Sequence, residues 1–243
     1  MKKIILSLSL VWATLSFSSA AHLKQTKLQQ ANQEERTVAD FTGISSGGNF
    51  NVVITLGDKE TLRMEGDADL LKEIESKVEK GILKIQYKNK TRLWDWNTSD
   101  KKRVNVFITA KTLTNLSLSG SGSMKVNGKV QAPDFRTVVS GSGSLQVNAE
   151  SVNYSGTISG SGSIHLSGSA QNAELTVSGS GSLKAADFKA KSANITVSGS
   201  GGASLYVEQT LKGTLSGSGN IRYAGNPSVT ETKSGSGSIS KLK

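Results

Sequence analysis

The chain contains no cysteine. Disulfides, thiol nucleophiles, zinc–thiolate sites, iron–sulfur clusters and a lipid-modified N-terminal cysteine are therefore excluded. Histidine occurs only at His22 and His165, too sparse for a His-based triad or a multi-His metal centre. Neither a metal nor an organic cofactor is expected. Prolines number only 2, and aromatic residues are 5% of the chain. No apolar run approaches the ~18 residues of a spanning helix. What is abundant is small: 26 Gly and 37 Ser, together about a quarter of the 243 residues. That share suits a low-complexity chain, but the scarcity of proline and a regular apolar spacing argue for order.

Residues 1–20 read as a cleaved export signal. Lys2 and Lys3 precede an apolar stretch from Ile4 to about Leu15, and Ser18-Ser19-Ala20 supplies small residues for cleavage. Residues 21–36 are polar and Gln-rich and read as a flexible leader. Without the signal, the chain carries 27 basic and 19 acidic groups, a net charge of +8. The basic residues are scattered, and the tightest cluster is Lys101-Lys102-Arg103. No basic stripe is interleaved with aromatics, so nucleic acid is not an expected partner. A mildly cationic surface still favours polyanions such as acidic glycans or lipid head groups.

Residues 119–243 are a repeat array. Ser-Gly-Ser-Gly begins at Ser119, Ser140, Ser159, Ser178, Ser198, Ser216 and Ser234, at intervals of 18 to 21 residues. A fixed period near 20 residues marks a solenoid, and a flexible Gly/Ser linker would not hold it. Within each copy the apolar residues alternate in phase with the glycines, as in Val139, Gly141, Gly143, Leu145 and Val147. Side chains alternate faces along a strand. Both glycines are thus expected on the inward face and the serines on the outward one, stacked in hydroxyl ladders. No 3.6-residue period follows Ser119. The expected fold is all-β: a parallel β-solenoid with rungs of about 18–21 residues and one short helix in the N-terminal part. In the last copy, Glu231 and Lys233 stand where earlier copies are apolar, which suits a charged edge.

Residues 37–118 read as an N-terminal capping part. Strands are expected over Asn51–Leu56, Thr61–Glu65, Gly81–Lys88 and Arg103–Ala110. A helix is expected over Asp69–Lys80, with Leu70, Leu71, Ile74 and Val78 on one face and Gly81 as its stop. The polar loop from Asn89 to Lys102 holds Arg92, Trp94, Asp95 and Trp96. Alternation puts both indoles on one side of an extended segment. Arg92, Trp94 and Trp96 either contact a sugar or a partner, or fold back over an edge of the solenoid.

Several segments carry a family resemblance. They are Phe41-Thr42-Gly43-Ile44 before Val52-Val53-Ile54, Gly81-Ile82-Leu83-Lys84-Ile85, and Val104-Asn105-Val106-Phe107-Ile108. Leu113-Thr114-Asn115-Leu116 then runs into the first Ser-Gly-Ser-Gly, and Tyr223-Ala224-Gly225-Asn226-Pro227 precedes the last. In this order and spacing, residues 37–243 resemble the family called putative auto-transporter adhesin, head GIN domain. The resemblance implies an exported envelope protein of Gram-negative bacteria with a β-solenoid fold and an adhesive role, and it brings no catalytic residues.

The expected function is therefore that of a non-catalytic envelope protein, an adhesin or surface-binding module. The partners it suggests are a glycan, extracellular matrix or an envelope protein. Periplasm, outer surface and medium remain open as locations, and a periplasmic structural role without adhesion is the alternative. A polysaccharide-cleaving β-helix would want paired carboxylates. After Ser119 the acids are Asp134, Glu150, Glu174, Asp187, Glu208 and Glu231, which do not recur in phase. The hydroxyl rows also raise binding to ice or mineral, for which threonine, with its methyl group, would be the better residue.

Overall fold

The computed structural model describes residues 32–89 and 103–242. In chain order the elements are β1 (Asn32–Arg36), β2 (Gly43–Gly48), β3 (Asn51–Leu56), β4 (Thr61–Gly66), α1 (Ala68–Lys72), β5 (Ile74–Glu79), β6 (Ile82–Tyr87), β7 (Asn105–Ala110) and β8 (Asn115–Gly120). Five long bent strands follow: β9 (Ser123–Gly141), β10 (Ser144–Gly160), β11 (Ser163–Gly179), β12 (Ser182–Gly199) and β13 (Gly202–Gly217). The chain closes with β14 (Asn220–Ala224), β15 (Ser228–Ser234) and β16 (Ser238–Lys241). Each Ser-Gly-Ser-Gly copy marks one turn of a parallel β-solenoid.

The register is set by stacking like on like. Leu145 pairs with Ile164, Ile158 with Val177 and Gly160 with Gly179. One inward column runs Met124, Leu145, Ile164, Leu183, Ala203, Ile221. A second runs Val139, Ile158, Val177, Val197, Leu215. All of these side chains are buried, and each fully buried aliphatic contributes roughly 1.5–3 kcal/mol.

The two glycines of a copy do different things, which corrects the expectation that both point inward. The first sits at the corner with a left-handed backbone: φ is +109° at Gly141 and +112° at Gly160. A Cβ on Gly160 would stand 2.7 Å from the Gly141 carbonyl oxygen one turn below. The second, such as Gly162, is buried and faces inward. There a Cβ would meet Val139 Cγ1 at 2.6 Å and the Gly143 oxygen at 2.7 Å. The ladder continues through the corner, with Ser161 N donating to Gly141 O at 2.9 Å and Ser163 N to Gly143 O at 2.9 Å.

The N-terminal part does not simply precede the repeats; it contributes turns of its own. β2 pairs in parallel with both β6 and β8, and β3 with both β7 and β9. The β2–β3 turn is therefore flanked on both sides by segments later in the sequence. Its corner is Gly48-Asn49-Phe50, with Gly48 in register with Gly120. Buried Phe50 takes the place of the second glycine and packs on Tyr87, ring centroids 4.8 Å apart. Antiparallel strands close this end: β4 on β7, β1 on β4 and β5 on β6.

Two local expectations fail here. The helix expected over Asp69–Lys80 covers only Ala68–Lys72, with the Asp67 carboxylate accepting from Asp69 N. Ile74–Glu79 is strand β5 instead. Ile74 and Val78 lie four apart, which suits one face of a helix and equally one face of a strand. Pairing of Val78 with Leu83 and Ser76 with Ile85 decides for the strand. The outer edge of β5 is charged, with Lys77 and Lys84 both bridging to Glu79, a composition that discourages edge-to-edge association. Asn32–Arg36, assigned above to the flexible leader, is also a strand. Arg36 fastens it by donating to Leu71 O at 2.9 Å and Ile74 O at 2.8 Å.

Candidate functional site

The solenoid register assembles outward rows that run along its axis. Six residues before each Ser-Gly-Ser-Gly from the second copy to the sixth stand Asp134, Asn153, Asn172, Ser192 and Thr210, stacked turn upon turn. Their side chains bond to one another. Asn153 Nδ2 donates to Asp134 Oδ1 at 2.8 Å, Asn172 Nδ2 to Asn153 Oδ1 at 2.9 Å, and Thr210 Oγ1 to Ser192 Oγ at 2.7 Å. Two residues on, a parallel row holds Arg136, Ser155, Glu174, Asn194 and Lys212.

The two rows line an open groove of about 730 Å³. Its floor is formed from beneath by buried Phe135, Tyr154, Ala173 and Ala193. Tyr154 anchors that floor. Its ring lies between Phe135 and Phe188, at centroid distances of 6.1 and 5.2 Å. Its hydroxyl shares a buried hydrogen bond of 2.5 Å with Thr137 Oγ1, and burial pushes the phenol pKa well above its usual value.

Chemically the groove offers amide donors and acceptors, hydroxyls, two cations and two carboxylates. The carboxylates are not arranged as a hydrolytic pair. Asp134 and Glu174 lie two turns and one row apart, about 12 Å from strand spacings, beyond the separations typical of paired glycosidase carboxylates. Among the described residues no three His, Asp or Glu side chains cluster as metal ligands. The residues singled out from sequence, Arg92, Trp94 and Trp96, lie outside the described residues, as does the expected export signal. The groove was not found from sequence, although counting back six and four residues from each repeat would have collected both rows.

The family profile for putative auto-transporter adhesin, head GIN domain, matches residues 40–227. The chain belongs to this family. The head GIN domain here has the fold of a putative adhesin from Bacteroides fragilis, at TM-score 0.78 and 20% identity, over 88% of this chain and 98% of that one. It is also similar to a putative lipid binding protein from Parabacteroides distasonis, at TM-score 0.71 and 26% identity, over 89% and 98%. A putative adhesin from Parabacteroides merdae matches at TM-score 0.65 and 19% identity, over 89% and 98%. No curated protein matches the chain.

Further rows run along the outer surface of this head GIN domain. Thr157, Thr176, Thr196, Thr214 and Thr232 stack in register beside a serine row running from Ser119 to Ser234. The serine ladder was expected; the threonine column beside it was not. Elsewhere on the outer surface the position six residues after the start of each of the first six motifs holds Lys125, Gln146, His165, Lys184, Ser204 and Arg222. Partial burial, and then the Lys184 ammonium in the next turn, push the His165 pKa below its usual value. The neutral imidazole is thus the form the fold favours. Its contribution to stability is present above the ordinary histidine pKa and is lost as pH falls below it. An NMR titration is expected to give His165 a pKa lower than that of a free histidine, and Lys184→Gln is expected to raise it.

Proposed function

We propose that the protein is an exported, non-catalytic envelope protein, an adhesin-like module that holds a linear glycan along the groove over β9 to β13. The observation carrying this reading is the continuity of the Asp134–Asn153–Asn172 and Ser192–Thr210 ladders beside Arg136, Glu174 and Lys212. Such a surface offers alternating donors and acceptors at one-turn intervals, which suits an extended chain of hydroxyl groups better than a compact small molecule. The basic start, apolar stretch and small-residue site within residues 1–20 support export. The family and the two adhesin-named structural neighbours support a binding role over catalysis. Among the described residues no helix is long and apolar enough to cross a membrane.

The test is a glycan array read with the purified protein and with an Asn153→Ala/Asn172→Ala variant. Both side chains are exposed, so the variant is expected to melt within a few degrees of the parent while losing at least tenfold in glycan affinity. Binding of uncharged linear glycans that survives the double substitution, or no binding to any uncharged linear glycan, would refute the assignment.

A further inference from the structure

We propose that the row Lys125, Gln146, His165, Lys184, Ser204 and Arg222 is a track for a linear acidic polysaccharide, whose carboxylate or sulfate groups pair with the three permanent cations. The residues belong to six successive turns and lie in one ladder. At one strand spacing per turn, Lys125 and Lys184 stand roughly 14 Å apart and Lys184 and Arg222 roughly 10 Å. Lys125, Lys184 and Arg222 are exposed, and none of them is in an ion pair among the described residues. The row contains no acid.

Of the acids nearby, some are compensated, while Asp187 and Glu208 are exposed and in no ion pair among the described residues. Glu150 is bridged by Lys129 at 3.2 Å, and Glu65 by Arg63. Asp187 lies off the row, on the bulge between Ala185 and Lys189. Alongside runs the row Ser123, Ser144, Ser163 and Ser182, with Ser163 Oγ donating to Ser144 Oγ at 3.1 Å. Half-buried hydroxyls beside a line of cations give a sugar chain hydrogen-bonding partners between its charges.

The geometry favours a polymer over an anionic membrane. The cations form a line one residue wide, not a broad patch. Among the described residues the sole large apolar side chain that is exposed is Val152, which is not in this row. Interfacial membrane binding draws on buried apolar area as well as charge, and this face offers little. The gain on binding is instead electrostatic and steeply salt-dependent.

The experiment measures binding of the purified protein to dextran sulfate and to polygalacturonate over a range of salt. Neutral dextran and phosphatidylglycerol vesicles are the comparison arms. Both polyanions are expected to bind and neutral dextran not to. Lys125→Gln/Lys184→Gln/Arg222→Gln is expected to weaken polyanion binding at least tenfold and to flatten the salt dependence. A charge-matched variant at the other end, Lys59→Gln/Lys72→Gln/Lys80→Gln, is expected to stay within twofold of the parent. Gln146→Lys/Ser204→Lys, which adds two cations to the same row, is expected to tighten binding at least threefold. Failure to bind either polyanion at low salt would overturn the proposal. So would equal weakening in the two triple variants, which would make net charge the cause, or vesicle binding stronger than polymer binding, which would make the face a membrane surface. Run on the Asn153→Ala/Asn172→Ala background, which removes the groove ladder, these measurements read the cationic row by itself, so either site can fail alone.

Discussion

Replacing Tyr154 by alanine is expected to lower the unfolding free energy by about 3–5 kcal/mol, the usual cost of deleting a fully buried aromatic. For a chain of this size that corresponds to a fall in Tm of roughly 10 °C. Tyr154 is 1% exposed, so the truncation opens a cavity between Phe135 and Phe188 that neither rigid strand can close. The hydroxyl makes a smaller, separable contribution. Tyr154→Phe keeps the ring but leaves Thr137 Oγ1 buried without its partner, at a cost of about 1–3 kcal/mol. Thr137→Val on that background removes the orphaned hydroxyl and is expected to recover part of the loss. Thermal unfolding of the four proteins in the cycle checks this. Equal melting of Tyr154→Phe and the parent would show that the hydrogen bond contributes nothing.

Gly168→Ala is expected to be as damaging, for a reason that lies in the backbone. Gly168 has φ +109° and sits where the β11–β12 register slips. A Cβ there would stand 2.0 Å from the Ala149 carbonyl oxygen, a backbone atom tied into the parallel ladder. The left-handed conformation and the clash together are expected to cost about 3–5 kcal/mol. Gly81→Ala is the matched comparison. Gly81 also has positive φ, at +73°, but nothing lies within 4 Å of the added carbon. It follows Lys80, itself at φ +51°, in a two-residue hairpin turn, and its substitution is expected to cost only about 1–2 kcal/mol. If Gly168→Ala melts no lower than Gly81→Ala, steric closure at the bulge is not what fixes this position.

The solenoid was legible because glycine repeats by identity. A corner that needs positive φ, and a waist that admits no Cβ, each accept one residue type, so the motif recurs unchanged in every copy. The outward rows were not legible for the opposite reason. Asp134, Asn153, Asn172, Ser192 and Thr210 share a position by size and polarity, and their identities change from turn to turn. The threonine column hid behind the serines two residues on. The β2–β3 turn escaped notice as a turn because Gly-Asn-Phe stands where the repeats have Gly-Ser-Gly, and because its neighbours in space come later in the chain. The helix over Asp69–Lys80 was overextended because Ile74 and Val78 satisfy both periods, and only the presence of β6 as a partner separates them.

The reading of the protein as a surface module rests on where it resides. A densely hydrogen-bonded solenoid can resist proteases even when fully accessible, so chemical labelling is the better probe. The exposed lysines, including Lys125 and Lys184, make a membrane-impermeant amine-reactive biotin suitable. Intact cells are labelled, and the protein is recovered beside a periplasmic control. The account predicts biotin on this protein while the control stays unlabelled. Labelling of both only after the outer membrane is broken would contradict an adhesive role at the surface and place the protein among internal envelope components.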